Sequence, residues 1–226
     1  MEEESKAVQE VAKTTGKAID AAREAGGFIA RFVSGSLEQG IGIFEDRLKY
    51  MRWERQLRLM RRAEDFLKQS GLSAPTRAVP LKLAVPLLQG ATLEEDDDLQ
   101  DRWAVLLVNA ANASFGIEIR RSYVNILEQL NTLEVKVLDT LYSLPFEQSQ
   151  HAGIITADLP HSARIAQEKE TGTIQPSEVL VLALSNLARL GCIRPTMTWG
   201  GGENFERVNP TILGRSFVNA CRLLEA

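Results

Sequence analysis

At 226 residues, with 44% hydrophobic and 25% charged side chains, the chain has enough apolar material for one large domain or two modest ones. Its net charge of −4 gives no overall attraction to nucleic acid or to anionic lipid. The acidic start Met1-Glu2-Glu3-Glu4-Ser5 lacks the basic region and apolar core of a secretory signal, and no window reaches the roughly 18 apolar residues of a membrane span, so a cytoplasmic protein is expected.

Residues 4–46 read as helix interrupted by glycine. Val8, Ala12, Thr15, Ile19, Ala22, Gly26, Ile29 and Val33 alternate spacings of four and three, a heptad-like seam that suits one helix lying against another. The seam residues are small, and Gly16, Gly26, Gly27, Gly35, Gly40 and Gly42 each weaken a helix by roughly 1 kcal/mol relative to alanine. A loosely held arm over 1–46 is therefore expected, breaking near Gly26-Gly27 or Ser34-Gly35-Ser36. Docking on a membrane surface or on another subunit is its expected use.

Residues 43–70 predict a firmer helix. Phe44, Leu48, Met51, Leu59, Ala63 and Phe66 form its apolar stripe, and the other faces carry Arg47, Lys49, Arg52, Arg55, Arg58, Arg61 and Arg62. Gly71 marks its C-terminal stop. After a linker from Ser73 to Pro80, residues 81–89 predict a short apolar helix distorted at Pro86 and ended by Gly90. Thr92 and Glu95 have the spacing of a capping box for the next helix, whose first turns hold Glu94, Glu95, Asp96, Asp97 and Asp98, where the helix dipole favours negative charge. Leu99, Trp103, Leu106, Leu107 and Ala110 are its expected buried face, completing a helical core over 47–118.

Residues 119–226 predict a different unit. Tyr123, Ile126, Leu127 and Leu130 form a short helix, and Thr132 caps another with Leu133, Val137, Leu138, Leu141 and Tyr142 inward. Residues 145–175 are polar and rich in turn formers, a long loop with one short helix near His161–Glu170. Pro176 suits the start of an apolar helix over Ser177–Leu190, ended by Gly191. Strands Cys192–Thr198 and Phe205–Val208 can pair across Gly200-Gly201-Gly202, and a last helix runs from Thr211 to Leu224. The expected fold class is mainly α: an N-terminal helical arm and helical core, followed by a winged-helix-like C-terminal domain with one short β-hairpin.

The residues that might carry chemistry are few. The acids at 94–98 are consecutive at a helix start and fan out around it, whereas a calcium loop converges its ligands and needs a glycine at its sixth position. His151 and His161 are the only histidines and have no cysteine nearby, so zinc spacing is absent. Cys192 and Cys221 sit in apolar contexts and read as buried free thiols. No cofactor, no metal and no enzymatic activity are expected.

The candidate partner surface comprises Arg52, Trp53, Arg55, Arg58, Arg61 and Arg62 together with Glu94, Glu95, Asp96, Asp97 and Asp98. Arginines stepping by three drift about 60° per step around a helix, a poor match to a flat row of phosphates. They either meet the acids of 94–101 within the chain or face a protein partner or phospholipid surface. Residues 120–226 hold ten Lys/Arg against eleven Asp/Glu, and the candidate recognition helix offers Glu178, Ser185, Asn186 and Arg189, with no net charge. DNA binding depends on neutralising several phosphates. A protein-interaction wing is expected, and nucleic acid is not an expected partner.

Several stretches resemble a bacterial family, abortive infection alpha. They are Leu48-Lys-Tyr-Met-Arg-Trp-Glu-Arg-Gln-Leu57, then Val79-Pro-Leu-Lys-Leu-Ala-Val-Pro-Leu-Leu-Gln-Gly90, and then Ala91-Thr-Leu-Glu-Glu-Asp-Asp-Asp-Leu-Gln-Asp-Arg-Trp-Ala-Val-Leu-Leu107. Leu187-Ala-Arg-Leu-Gly-Cys-Ile193 and Leu213-Gly-Arg-Ser-Phe217 extend the likeness across most of 45–225. The resemblance carries over no catalytic residue. It implies a role in abortive infection, in which an infected cell stops growing or dies before phage mature. The expected function is a non-enzymatic defence protein acting through protein contacts, self-association or a membrane surface, with the arm as its peripheral contact to the inner membrane. The alternative is a winged-helix transcription regulator that binds DNA.

Overall fold

The computed structural model describes residues 26–34, 53–167 and 174–223, and the chain divides into a first unit within Met1–Gly116 and a second unit, Ile117–Leu223. In the first unit, residues 26–32 form a helix (α1) that runs into β1 (Val33–Ser34). Helix α2 spans Trp53–Gln69, strand β2 Val79–Pro80, helix α3 Leu81–Leu93 and helix α4 Asp97–Ala110. Strands β1 and β2 pair in parallel, Val33 opposite Val79.

The pattern of α2 explains how it packs. Gln56, Leu59, Met60, Ala63, Phe66 and Leu67 recur at steps of three and four, so they share the face buried in the unit. The helix ends in a Schellman turn: Gly71, at φ 71°, donates to Lys68 O and Leu72 donates to Leu67 O. Helix α4 is buried almost throughout from Leu99 to Ala110, with Trp103 1% exposed at its centre.

Three expectations about this unit are corrected. The described part of the expected arm is a packed piece of the core: Phe28 and Phe32 are 3% and 0% exposed, and Arg31 pairs with Glu64 of α2. The heptad pattern singled out Ile29 and Val33, whereas these two phenylalanines, with ring centres 4.6 Å apart and planes tilted by 32°, supply more of the burial. The seam positions 8–22 and the expected helical residues 43–52 lie outside the described residues. Gly90 does not end α3, which continues to Leu93; instead its bare Cα accepts the Trp103 ring. Thr92 is not the cap of α4 but lies inside α3, where its hydroxyl donates back to Leu88 O and Gln89 O. The N-cap of α4 is Asp96, whose carboxylate accepts from Leu99 N at 2.9 Å.

In the second unit, α5 (Arg121–Leu127), α6 (Thr132–Leu141) and α7 (Phe146–Ala152) precede β3 (Ile154–Ile155) and β4 (Arg164–Ile165). Helix α8 (Glu178–Arg189), strands β5 (Ile193–Met197) and β6 (Glu203–Pro210), and helix α9 (Ile212–Ala220) follow. The cap of α6 is Asn131 rather than Thr132: Asn131 and Glu134 form a reciprocal capping box. The expected hairpin forms, β5 against β6, with a register shift at Pro195/Thr196. The stretch 145–175 holds more structure than a loop, since α7, β3 and β4 lie within it. Residues 161–167 are not helical, and 168–173 lie outside the described residues. The antiparallel sheet has the order β4-β3-β6-β5. The fold is thus mainly helical with a small antiparallel sheet.

Candidate functional site

Two surfaces carry the polar and apolar groups that matter, one in each unit. In the first unit α2 packs along α4, and the arginines at 55, 58 and 62 share one face because they are three, four and seven residues apart. Asp97, Gln100 and Asp101 face them with the matching helical spacing. Arg55 pairs with Asp97 and donates to Glu95 O. Arg58 contacts Asp97 at 3.2 Å and Asp101 at 2.8 Å, and donates to Gln100 Oε1 at 3.0 Å. Arg62 grips both oxygens of Asp101 at 2.8 and 2.6 Å, with its guanidinium 4.4 Å from the Phe66 ring centre. That hydrogen bond, against the opposing effect of burial, raises the Arg62 pKa above its usual value.

Gln100 completes the arrangement. It is fully buried, and its amide donates to Ala91 O at 2.8 Å and Arg55 O at 3.1 Å, so it ties α2 and α3 to α4. Gln100 did not stand out in the sequence as a member of this surface; Asp101, the last of the acids of 94–101, lies four residues after Asp97 and so on the same helix face. Among the other candidates, Glu94 accepts from Asp96 N at 3.0 Å and Asp96 is the cap already described. Arg61, Glu95 and Asp98 are exposed. Arg52 lies outside the described residues, and Trp53 opens α2.

Asp101 is the hub. Its replacement by alanine leaves Arg58 and Arg62 without their shared carboxylate in a partly buried setting, and we expect a loss of about 1–2 kcal/mol in urea unfolding. Asp98→Ala, at an exposed position with no partner among the described residues, is expected to change stability by less than about 0.5 kcal/mol. Equal effects of the two changes would contradict this account.

A cavity between Phe28, Leu59, Met60 and Leu88 has a volume of about 20 Å³. That is room for one water or methyl group, and far below a substrate pocket. Among the described residues no group of three or more His, Cys, Asp or Glu is placed to hold a metal ion. His151, in the last turn of α7, and His161, in a turn, are both exposed. Among the described residues no helix is long and apolar enough to cross a membrane.

In the second unit the polar groups are tied into the fold. Tyr142 donates to Cys192 O and accepts from Thr211 N at 3.0 Å, linking the end of α6 to the turns around β5 and α9. Glu134 accepts from Asn186 Nδ2 at 2.8 Å, joining α6 to α8. Cys192 and Cys221 are buried thiols, not joined in a disulfide. Burial, with a smaller push from Glu134, lifts the Cys192 thiol to about 12, and burial lifts the Tyr142 phenol to about 12. A thiol so placed is a poor nucleophile.

These two groups also predict alkali sensitivity. The unfolded chain releases their protons near 9.0 and 10.0, before the folded chain does, so stability is full below about pH 9 and falls as pH rises towards 12. At pH 10 a loss of about 2 kcal/mol relative to pH 8 is expected in urea unfolding. A flat profile up to pH 10 would contradict the burial of both groups.

This unit also leaves large apolar side chains uncovered. Val179 and Leu182 on α8 are 65% and 67% exposed, and Ile174 just before the helix is 74% exposed. Met197 and Trp199 stand out at the hairpin tip, and Ile212 at the start of α9. On the same helix, Ser185 donates to Val181 O at 2.8 Å, and Arg189 donates to Gln129 Oε1 and Asn186 Oδ1. Of the polar side chains that a sequence reading assigns to DNA contact, Ser185, Asn186 and Arg189 are thus bound within the unit, while Glu178 and two of the apolar side chains face outward.

Among known protein families, the one described as abortive infection alpha has a model that matches residues 54–221. No curated protein and no solved structure matches the chain.

Proposed function

The chain belongs to the abortive infection alpha family, and from that membership we propose that it serves phage defence by binding a protein partner rather than by chemistry of its own. The observation that carries this reading is the outward face of α8, where Val179 and Leu182 remain exposed while Ser185, Asn186 and Arg189 are satisfied within the unit. Contiguous apolar exposure marks contact surfaces more often than solvent-facing ones. The arginine face of α2 supports the same assignment indirectly. Its charges are paired with α4 and hold the first unit together, so they are not offered to lipid or phosphate. Phe28 and Phe32 are likewise buried in that unit, which leaves any membrane contact of the arm to other residues.

The second unit is read as winged-helix-like, supported by the adjacency β3-β6-β5 and by α8 leading directly into the hairpin. That order is also the one observation favouring a DNA-binding regulator. Against it, α8 presents valine and leucine outward, and its one arginine is bound to neighbouring amides. We expect no salt-sensitive retention of duplex DNA.

The test is expression of the chain in a phage-sensitive host. Plaque formation should fall, and the double substitution His151→Ala with His161→Ala should leave that protection within about twofold. Protection that drops to the empty-vector level in the histidine variant would point to proton-transfer chemistry instead.

A further inference from the structure

We infer that the outward face of α8 pairs with the same face of a second copy of this chain, the two helices running antiparallel about a two-fold axis. This rests on the reading of α8 as a contact surface and names its occupant.

The seam is set by spacing. Glu178, Leu182, Ser185 and Arg189 follow one another at intervals of four, three and four, which keeps them on one side of the helix. That order is symmetric about its midpoint. When two copies run antiparallel, Glu178 of each falls opposite Arg189 of the other, and Leu182 opposite Ser185. A two-fold interface requires such self-complementarity, each contact occurring twice.

Charge fits the same arrangement. Glu178 has no ionic partner among the described residues. Arg189 is held only by the neutral amides of Gln129 and Asn186, so it is oriented but not neutralised. An unpaired acid at the N-terminal end and an unneutralised base at the C-terminal end meet their opposites in an antiparallel neighbour, which attracts, and their likes in a parallel one, which repels. Between them lies the exposed Leu182. The Ser185 hydroxyl is turned back onto Val181 O, and the small side chain allows Leu182 of the partner to approach. Val179 of each copy then lies towards the Gly191 turn of the other, where Leu213 is 37% exposed.

Size sets the strength. A helix of 12 residues is about 18 Å long, so the buried area falls below the roughly 1,200 Å² of a stable complex. The dimer should therefore be weak and dependent on concentration.

Sedimentation of the full chain across concentrations from about 1 to 300 µM tests this, a range chosen for an interface of that size. The expected result is a passage from monomer to dimer that Leu182→Glu abolishes. Glu178→Arg and Arg189→Glu should each weaken dimerisation about tenfold or more, through like charges meeting across the axis. The double variant Glu178→Arg/Arg189→Glu should return it to within about threefold of the natural chain, since the pairing is only reversed in sense. A chain that stays monomeric throughout, a dimer indifferent to Leu182→Glu, or a double variant no better than the single ones would overturn the inference. Circular dichroism shows that each variant is folded. If dimerisation fails while substitutions on this face still abolish phage protection, the contact-surface reading stands with a different partner and only the present inference falls.

Discussion

Replacing Trp103 with alanine is expected to destabilise the protein by about 4 kcal/mol, the loss typical of a large aromatic removed from a closed core. Trp103 is 1% exposed, and its ring lies against the Cα of Gly90 on the neighbouring helix α3. A Cβ placed on Gly90 would enter the six-membered part of the indole, meeting Cζ2 at 2.7 Å and Cζ3 at 3.0 Å. The two positions therefore form a lock, and they predict a change of sign. Gly90→Ala should destabilise the natural chain even though alanine favours a helix by about 1 kcal/mol over glycine. In a Trp103→Phe background the ring is shorter, and Gly90→Ala should become neutral or stabilising. Trp103→Phe itself should be far milder than Trp103→Ala, because it also removes an indole N–H that is buried with no acceptor among the described residues. Urea unfolding of the four chains measures this coupling. Additive effects would show that the close approach is not what governs the site.

A second large effect is expected at Gly214, where alanine should cost about 3 kcal/mol, the upper end for overpacking. The residue sits in the first turn of α9, and its backbone N–H donates to the Thr211 cap at 2.9 Å. The missing Cβ would collide with both the Tyr142 hydroxyl and the Cys192 carbonyl. Neither can retreat. Tyr142 is fixed by its bonds to Cys192 O and Thr211 N, and the carbonyl belongs to the turn leading into β5. Removing the hydroxyl clears only half of the obstruction. Tyr142→Phe should thus rescue Gly214→Ala in part, whereas Trp103→Phe should rescue Gly90→Ala fully. Thermal unfolding followed by circular dichroism distinguishes the two cases, and complete rescue by Tyr142→Phe would contradict the role given to the carbonyl.

These two glycines show where a reading of local pattern stops. Gly90 looks like a helix terminator because the usual reasons for glycine are local, but the reason here is a tryptophan 13 positions away. Gly71 and Gly191 were legible as stops since a Schellman turn is a local device: each has positive φ, and the residue after it donates back to the helix. Caps were harder where polar residues compete. Thr92, Glu95 and Asp96 all lie before α4, and Asn131 and Thr132 both lie before α6. Only the backbone path decides which oxygen reaches the free N–H groups. The hairpin was readable from its glycine run, whereas β3 was not. It is two residues long and is held between β4, another two-residue strand, and β6, whose paired residues lie more than 50 positions later.

The candidate site was legible by charge and hidden by hydrophobicity. Basic α2 and acidic α4 announce that they can attract one another, and the pairing of Arg58 and Arg62 with Asp101 follows from helical spacing once the two are side by side. The α8 surface gave no such signal. In a strongly apolar helix, Leu184 and Leu187 in the core and Val179 and Leu182 outside it have the same chemistry. Which of them faces out depends on where α6 and the sheet lie, and that is set by contacts distant in sequence.

The central claim is that this face, rather than a reactive group, gives the protein its effect. The most direct measurement compares phage plating on cells expressing the natural chain with plating on cells expressing Val179→Asp/Leu182→Asp. Both positions are exposed, so the variant should keep its circular dichroism and its unfolding midpoint. The predicted result is a folded protein at normal abundance that no longer protects. Undiminished protection from that folded variant would contradict the claim and return the search to chemistry elsewhere in the chain.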